Sequence, residues 1–319
     1  MRAVLPPVAV IGSGSIGVAW AVVFARAGHS VALYDTAPER LDAAATELRA
    51  RLDDLHSAGL LDEQPSAVAP RVQRFSELSA ALDGAVHVQE CAPESLELKR
   101  EVFAALDRLA DPQATLASSS SALTASQFAA EVPGRARCLV VHPANPPHLL
   151  PVVEVVPAPF TAEERIGATM RLLLDAGMSP VRVEHEPEGF VFNRLQGALL
   201  REAYCLVRDG VATVDEVDRV VREGLGRRWA VVGPFETADL NTRGGIETHA
   251  RRLGPAYARM GEERGQHDPW TDDLVAMVTA QRRALLPLDQ WEERVDWRDR
   301  QLIALERARR AAADEEDRR

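Results

Sequence analysis

Residues 8–35 read VAVIGSGSIGVAWAVVFARAGHSVALYD, and the glycine rhythm inside this stretch restricts the fold more than any other feature of the chain. Gly12-Ser13-Gly14-Ser15-Ile16-Gly17 satisfies G-x-G-x-x-G directly after an apolar strand and at the mouth of a helix. In that setting the first glycine permits a tight turn, the second lets a pyrophosphate approach the backbone, and the third allows close helix-to-strand packing. The free N–H groups at the helix start, those of Ser15 and Ile16 included, then face the phosphates. Asp35 lies 23 residues beyond Gly12, at the end of the second apolar run. An acidic side chain there accepts hydrogen bonds from the adenine-side ribose and repels a 2′-phosphate. A bare turn with an unrelated strand-end aspartate is the competing reading, and the full context disfavours it. These residues therefore predict a dinucleotide site that prefers NAD to NADP.

Over residues 8–183 the short runs VAVIG, SVALYD, VHVQEC, TLASSSS, CLVVHP, VVEVVP and VRVEH alternate with helical patterns. That alternation predicts an α/β fold with a Rossmann-like doubly wound sheet. One helix should span residues 15–27 and stop at Gly28, another residues 37–60, and a third should lie within PAPFTAEERIGATMRLLLDAGMSP. After EPEG at 186–189 the β-branched runs largely cease and helical periods continue to the end. The expected organisation is an NAD-binding domain over 1–188 followed by an all-α C-terminal domain over 189–319. In the latter, Gly210 should stop the first helix and Thr213 should cap the next.

With 319 residues there is room for two cores, and the net charge of −11 argues against nucleic acid as a partner. No apolar run is long enough to span a bilayer, so no membrane partner is expected. The opening MRAVLPPVAV has no charged region, apolar region and cleavage site in series, and a cytoplasmic location is expected. Cys91, Cys138 and Cys205 form no CxxC pair and read as buried free thiols. The histidines lack HExxH or comparable spacing, so no metal is expected.

The segment CLVVHPANPPHLLPVVEVVP holds two polar residues where strands are expected, His142 and Glu154. A buried carboxylate needs a partner. A strand, a turn and a returning strand can set Glu154 beside His142, where it would hold the imidazole tautomer and raise its basicity. A neutral histidine of that kind is a general base suited to an alcohol. A core histidine with a solvent-facing edge-strand glutamate is the bland alternative. ASSSSAL, residues 117–123, reads either as a site for a reacting oxygen or as a turn. Asn193 in GFVFNRLQ reads equally as a bond between helices. Glu94 and Lys99, the chain's single lysine, read by composition as an ordinary exposed helical pair.

Taken in order, the glycine loop with Asp35, QECAPESLELK, SSSSAL, HPANPP, VVEVV and GFVFNRLQ resemble the 3-hydroxyacyl-CoA dehydrogenase family. EGLGRRWAVVGPFE and WRDRQLIALERAR extend the likeness over nearly the whole chain, toward the lambda-crystallin branch. The resemblance implies His142 as catalytic base and Glu154 as its orienting carboxylate. It implies Ser121 and Asn193 as hydrogen-bonding residues around the substrate oxygen and the nicotinamide, and Glu94 and Lys99 as cofactor contacts. It also implies a homodimer through the C-terminal helices, with the active site between the domains.

The substrate is constrained by charge. The resemblance implies that CoA phosphates would be held by basic residues near the helix pair after the second strand; here that stretch, RLDDLHSAGLLDEQPSAVAPRVQRF, is acidic through its first half and has no lysine, which disfavours a polyanion as bulky as CoA. GLGRRWAVVGP offers Arg227 and Arg228 beside Trp229, and the resemblance singles out Arg228. A guanidinium can clamp a free carboxylate bidentately, although a surface salt bridge reads the same residue blandly. The expectation is NAD-dependent oxidation of a small 3-hydroxy acid, and the resemblance puts L-gulonate first. Carnitine is a rival, as is a short-chain 3-hydroxyacyl-CoA held by an arginine such as Arg71. A non-catalytic NAD-binding structural protein is the alternative from another class.

Overall fold

The computed structural model describes residues 5–230, 232–241, 245–264 and 287–316, with 273, 277, 280 and 284 as single positions. Among these, eight strands form one sheet: β1 Val8–Ile11, β2 Val31–Tyr34, β3 Val72–Phe75, β4 His87–Glu90, β5 Thr115–Ser118, β6 Cys138–Pro143, β7 Val152–Pro157 and β8 Ser179–Arg182. Their order is β3-β2-β1-β4-β5-β6-β7-β8. Every neighbouring pair is parallel except β6 and β7, which run antiparallel. The chain direction across the sheet reverses between β1 and β4, and the crevice beyond such a switch point is where open α/β sheets bind ligands. Strands β1, β4, β5 and β6 are buried throughout, as expected when helices cover both faces.

Two edges depart from the sequence expectation. β3 was not among the expected strands, because VQRF is half exposed at the sheet edge and carries no apolar run. β8 starts two residues before VRVEH, since backbone pairing of Ser179 with Val152 through Arg182 with Val155 sets its register. On an exposed edge strand side-chain pattern is a weak guide to the ends.

Helix α1, Ser15–Ala27, is buried on all sides from Gly17 to Ala25, as a helix apolar all round must be. Gly28, with φ of 106°, ends it in the left-handed region. Helix α2, Pro38–Ser57, turns Leu41, Ala44, Leu48, Leu52 and Leu55 inward at helical spacing. Ile303, on the terminal helix Trp291–Glu316, packs on the same apolar cluster, and Arg310 donates to the Leu60 carbonyl at 3.4 Å.

The chain divides into two compact units, residues 1–194 with 297–319, and residues 195–296. As compact units the division falls within the helix Phe192–Arg208, and the last segment groups with the sheet. Ile303 gives the reason: its apolar partners lie on the sheet unit. In the second unit Thr213 caps the helix Val214–Val220 in a reciprocal box with Glu216. There, Arg264 bonds Glu202 at 3.0 Å and also pairs with Asp209. No described helix is long and apolar enough to cross a membrane.

His87 opens β4 at 2% exposure, tilted against Phe24. Its Nε2 lies 3.1 Å from Gln89 Oε1, while Nδ1 has no hydrogen-bond partner among the described residues. Burial drives its pKa from 6.5 down to about 4, against the opposing Gln89 bond. The unfolded chain then takes up a proton near pH 6.5 that the folded chain refuses until about pH 4. Stability should therefore fall by about 3 kcal/mol as pH drops across that window. His87→Val should flatten this slope in urea midpoints measured at pH 7 and 4.5; equal slopes would assign the acid sensitivity to other groups.

Candidate active site

The glycine loop follows β1 at the switch point. Gly12 has φ of 104°, and a Cβ there would lie 2.9 Å from the Cys91 carbonyl oxygen. At Gly17 a Cβ would stand 1.9 Å from the Gly12 oxygen, whereas at Gly14 it would meet nothing within 4 Å. The outer two glycines are thus required by packing, and the middle one faces open space. Asp35 is 7% exposed; its Oδ2 accepts from Ser13 N at 2.9 Å and Ser13 Oγ at 2.8 Å, and its Oδ1 from Ala37 N at 3.1 Å. Burial raises this carboxyl's pKa, but the bonds from Ser13 and Ala37 outweigh it and hold the group below its usual range. Arg51 donates to the Ser15 carbonyl at 3.1 Å and to Ser15 Oγ at 2.8 Å. No acidic residue occupies the first turn of α1. Open backbone at Gly14, an anion-compatible helix start and an ionised Asp35 fit NAD.

His142 and Glu154 are directly paired across β6 and β7. Imidazole Nδ1 lies 2.7 Å from Glu154 Oε2, with residue exposures of 6% and 3%. The other carboxylate oxygen accepts from Val191 N at 2.7 Å and Phe192 N at 2.9 Å. Burial pushes the Glu154 pKa up; the bonds from His142, Phe192 and Val191 reverse this and leave it below the ordinary carboxylate value. An ionised Oε2 accepts a hydrogen bond from Nδ1–H, so in the neutral ring Nε2 carries the lone pair. Nε2 has no hydrogen-bond partner among the described residues. Phe190, fully buried with φ of 50°, and Phe192 place their rings 5.6 and 6.5 Å from the imidazole.

The loops after β4 and β5 complete the sheet-side site. Asn193 Nδ2 donates to the Ser121 carbonyl at 3.1 Å, and Ser121 is exposed. Glu94 accepts from Ser120 Oγ, from Ala122 N at 3.1 Å and from Leu123 N at 3.2 Å. Those bonds outweigh burial and keep its pKa low. Lys99 overturns the exposed-pair reading: it is 1% exposed, with Nζ 2.9 Å from Glu90 Oε2. Sequence reasoning also passed over Gln89, whose Nε2 donates to Ser119 Oγ at 2.8 Å, and Trp20, whose Nε1 donates to the same hydroxyl at 3.1 Å. The signal available for Gln89 and Glu90 was two polar residues in the apolar run VHVQEC. Cys91 is half-buried rather than buried as expected, and desolvation of its thiol pushes the pKa up to about 12, away from the reactive thiolate.

In the second unit Arg227 pairs with Glu223 at 2.6 Å, while Arg228 is exposed and has no acidic partner among the described residues. Arg228 borders a cavity of about 510 Å³ walled by Trp229, Phe235 and Tyr257, with Thr237, Asn241 and His249 as polar lining. Arg71, in the sheet unit, is held by the Glu63 carboxylate at 2.5 and 3.1 Å and by the Ala25 carbonyl at 2.9 Å.

Comparison with known proteins identifies the family of this fold. The family described as 3-hydroxyacyl-CoA dehydrogenase, NAD binding domain, matches residues 7–186, and its C-terminal domain matches residues 189–285. A lambda-crystallin homolog of Bos taurus is 43% identical over 259 residues, 79% of this chain and 79% of that protein. An L-carnitine dehydrogenase of Pseudomonas aeruginosa is 40% identical over 253 residues, 78% of this chain and 77% of the other. The solved structure of 5-formyl-3-hydroxy-2-methylpyridine 4-carboxylic acid 5-dehydrogenase, an NAD+-dependent dismutase, superposes with a TM-score of 0.83 at 27% identity, covering 95% of this chain and 98% of that one.

Proposed function

Since this chain belongs to the 3-hydroxyacyl-CoA dehydrogenase family and is an NAD-dependent oxidoreductase of a 3-hydroxy substrate, we propose that it oxidises a free 3-hydroxy acid, L-gulonate first, to the 3-keto acid 3-dehydro-L-gulonate. The observation that carries this reading is Arg228, a guanidinium without an acidic partner among the described residues, next to an Arg227 that has one. A free guanidinium fork matches a free carboxylate and has no counterpart to bind in a thioester. The CoA alternative loses support because Arg71 is already committed to Glu63.

NAD, when bound, supplies the acceptor for the hydride that leaves C3. The chain's residues do the rest. His142 Nε2 takes the hydroxyl proton, while Glu154 fixes Nδ1–H and balances the imidazolium that forms. Asn193 and Ser121 hold the reacting oxygen, and Arg228 anchors the acid. Gly12, Gly14, Ser15, Ile16, Gly17 and Asp35 bind the dinucleotide. A homodimer through the helical unit and a cytoplasmic location belong to the same proposal; Phe235 and Leu240, 78% and 69% exposed, are apolar groups a second copy would cover.

L-Carnitine is a second reading, favoured by the aromatic wall of Trp229, Phe235 and Tyr257 beside Arg228. Aromatic faces attract a quaternary ammonium. The test is NADH formation from L-gulonate, L-carnitine, L-3-hydroxybutyrate and 3-hydroxybutyryl-CoA at equal concentration. L-Gulonate should lead, and Arg228→Ala should raise its KM about tenfold or more, the loss of one charge-assisted pair. A lead for the CoA ester would overturn the free-acid reading, a lead for carnitine would select the second, and NADH binding without any turnover would revive the non-catalytic alternative.

A further inference from the structure

β8 ends at Arg182, and the chain from Glu186 onward leads into the helix Phe192–Arg208. Carboxylates hold both ends of this connector. At its near end Glu186 Oε1 accepts from Ser126 N at 3.0 Å and Oε2 from the Ser126 hydroxyl, at the start of the short helix Ala125–Phe128. At its far end the Val191 and Phe192 N–H groups donate to Glu154 Oε1 at 2.7 and 2.9 Å. Between them Gly189 and Phe190 take successive positive φ values of 75° and 50°. Among the described residues Phe190 alone of the non-glycines sits in that region. Glycine adopts such a backbone freely, whereas a phenylalanine stays there only when its surroundings hold it. The Phe190 ring is fully buried beside His142, and its N–H closes the bend on the Pro187 carbonyl at 3.0 Å. A strained bend of this kind relaxes unless both ends are fixed.

We infer that Glu186 is a positioning residue for the base: by holding Ser126 it fixes the near end of the bend and so keeps the Val191 and Phe192 N–H groups on Glu154. The inference rests on the pairing of His142 and Glu154 as the proton acceptor proposed above. Two backbone donors neutralise part of the Glu154 charge and help to hold its pKa low. If the bend relaxes, His142 becomes the main partner of that charge, and the imidazolium gains stability. Loosening the tether therefore raises the pH at which the base is half protonated. Removing the Glu186 charge alone acts with the opposite sign, since it takes away a negative group that favours the imidazolium. His142 faces Glu154 on β7 and the uncharged rings of Phe190 and Phe192, while Glu154 faces His142 on β6 and stands in register with the uncharged Val181 on β8. Of the ionisable neighbours of Glu186 in the chain, Glu184, His185 and Glu188 are exposed, and Glu184 pairs with Arg182 at 3.3 Å.

Glu186→Ala, Glu186→Gln and Ser126→Ala test this on the full chain. Glutamine removes the charge but keeps the tether, because its oxygen accepts from Ser126 N and its amide donates to Ser126 Oγ. The first readout is amide hydrogen exchange followed by mass spectrometry. In Glu186→Ala the peptide covering 187–192 should exchange about tenfold faster or more, with β6 and β7 unchanged, and Glu186→Gln should match wild type. The second is the pH dependence of kcat/KM on the substrate that leads the comparison above. Its acid limb should move up by about 0.5 to 1 pH unit in Glu186→Ala and stay in place in Glu186→Gln.

Ser126→Ala keeps the charge and loses one of the two tethering bonds. Both readouts should move in the same direction by less, and this variant carries the test if Glu186→Ala does not fold. Unchanged exchange over 187–192 in Glu186→Ala would overturn the inference. So would an acid limb that stays in place in that variant, or one that falls in both Glu186 variants, the mark of charge alone. His142→Ala, measured alongside, separates the premises: faster exchange in Glu186→Ala together with wild-type turnover in His142→Ala leaves the tether standing and removes the base assignment on which its pH effect rests.

Discussion

His142→Ala should lose roughly 10²- to 10⁴-fold in kcat, the usual worth of a positioned general base, with NADH affinity unchanged. The affinity should survive because the imidazole sits on β6, bonded to Glu154 on β7, while the residues that fit NAD sit on the loop after β1 and at the end of β2. The fold should survive as well. Removing the ring leaves the β6–β7 pairing and the backbone bonds of Val191 and Phe192 to Glu154 in place. Fluorescence titration with NADH and steady-state turnover on the preferred acid check both halves together. Turnover within tenfold of wild type would remove His142 from the proton-transfer role. A parallel loss of NADH affinity would mean that the variant has disturbed more than the base.

Gly17→Ala should destabilise the protein by about 3 kcal/mol or more, at the upper end of what overpacking costs, because its Cβ would fall 1.9 Å from a backbone oxygen. Neither atom can step aside cheaply, since one is in a buried helix and the other in the turn that precedes it. The loop must shift, and NADH affinity should fall about tenfold for each 1.4 kcal/mol lost from its backbone contacts. Gly14→Ala is the matched comparison. Its Cβ meets nothing within 4 Å, so stability should be unchanged while NADH binding weakens. Urea midpoints and NADH titrations of the two variants read this contrast. Equal destabilisation by both would show that the middle glycine is also held by packing, and unchanged NADH binding in Gly14→Ala would show that the cofactor does not use the open side of the loop.

The parts of this molecule that local rules govern were legible in the sequence. Residues 15–27 form α1 and stop at Gly28 because an apolar helical run and a left-handed glycine act over one or two turns. Thr213 caps its helix for the same reason. His142 and Glu154 were findable because a polar residue inside an apolar strand must be satisfied within reach. β3 was missed and β8 misplaced because edge strands are held by backbone pairing, to which side-chain pattern is nearly blind. The terminal segment was assigned to the helical domain because nothing in its own periodicity says which surface will receive Ile303.

By itself the sequence determined the doubly wound class, the dinucleotide loop and the histidine–glutamate pair, since each is written in residues close together along the chain or in a spacing that one strand and one turn can close. Only the tertiary structure decided where Lys99 sits and which groups it meets. Its partners Glu90 and Ser118 come from two other elements, nine and 19 residues away, and whether an ammonium meets solvent, cofactor or a buried carboxylate depends on how those elements stack. Burial is a property of the packed chain, and with it comes the need for every donor to find an acceptor. That need ties an ordinary-looking helical lysine to Glu90 and Ser118, at the ends of two strands.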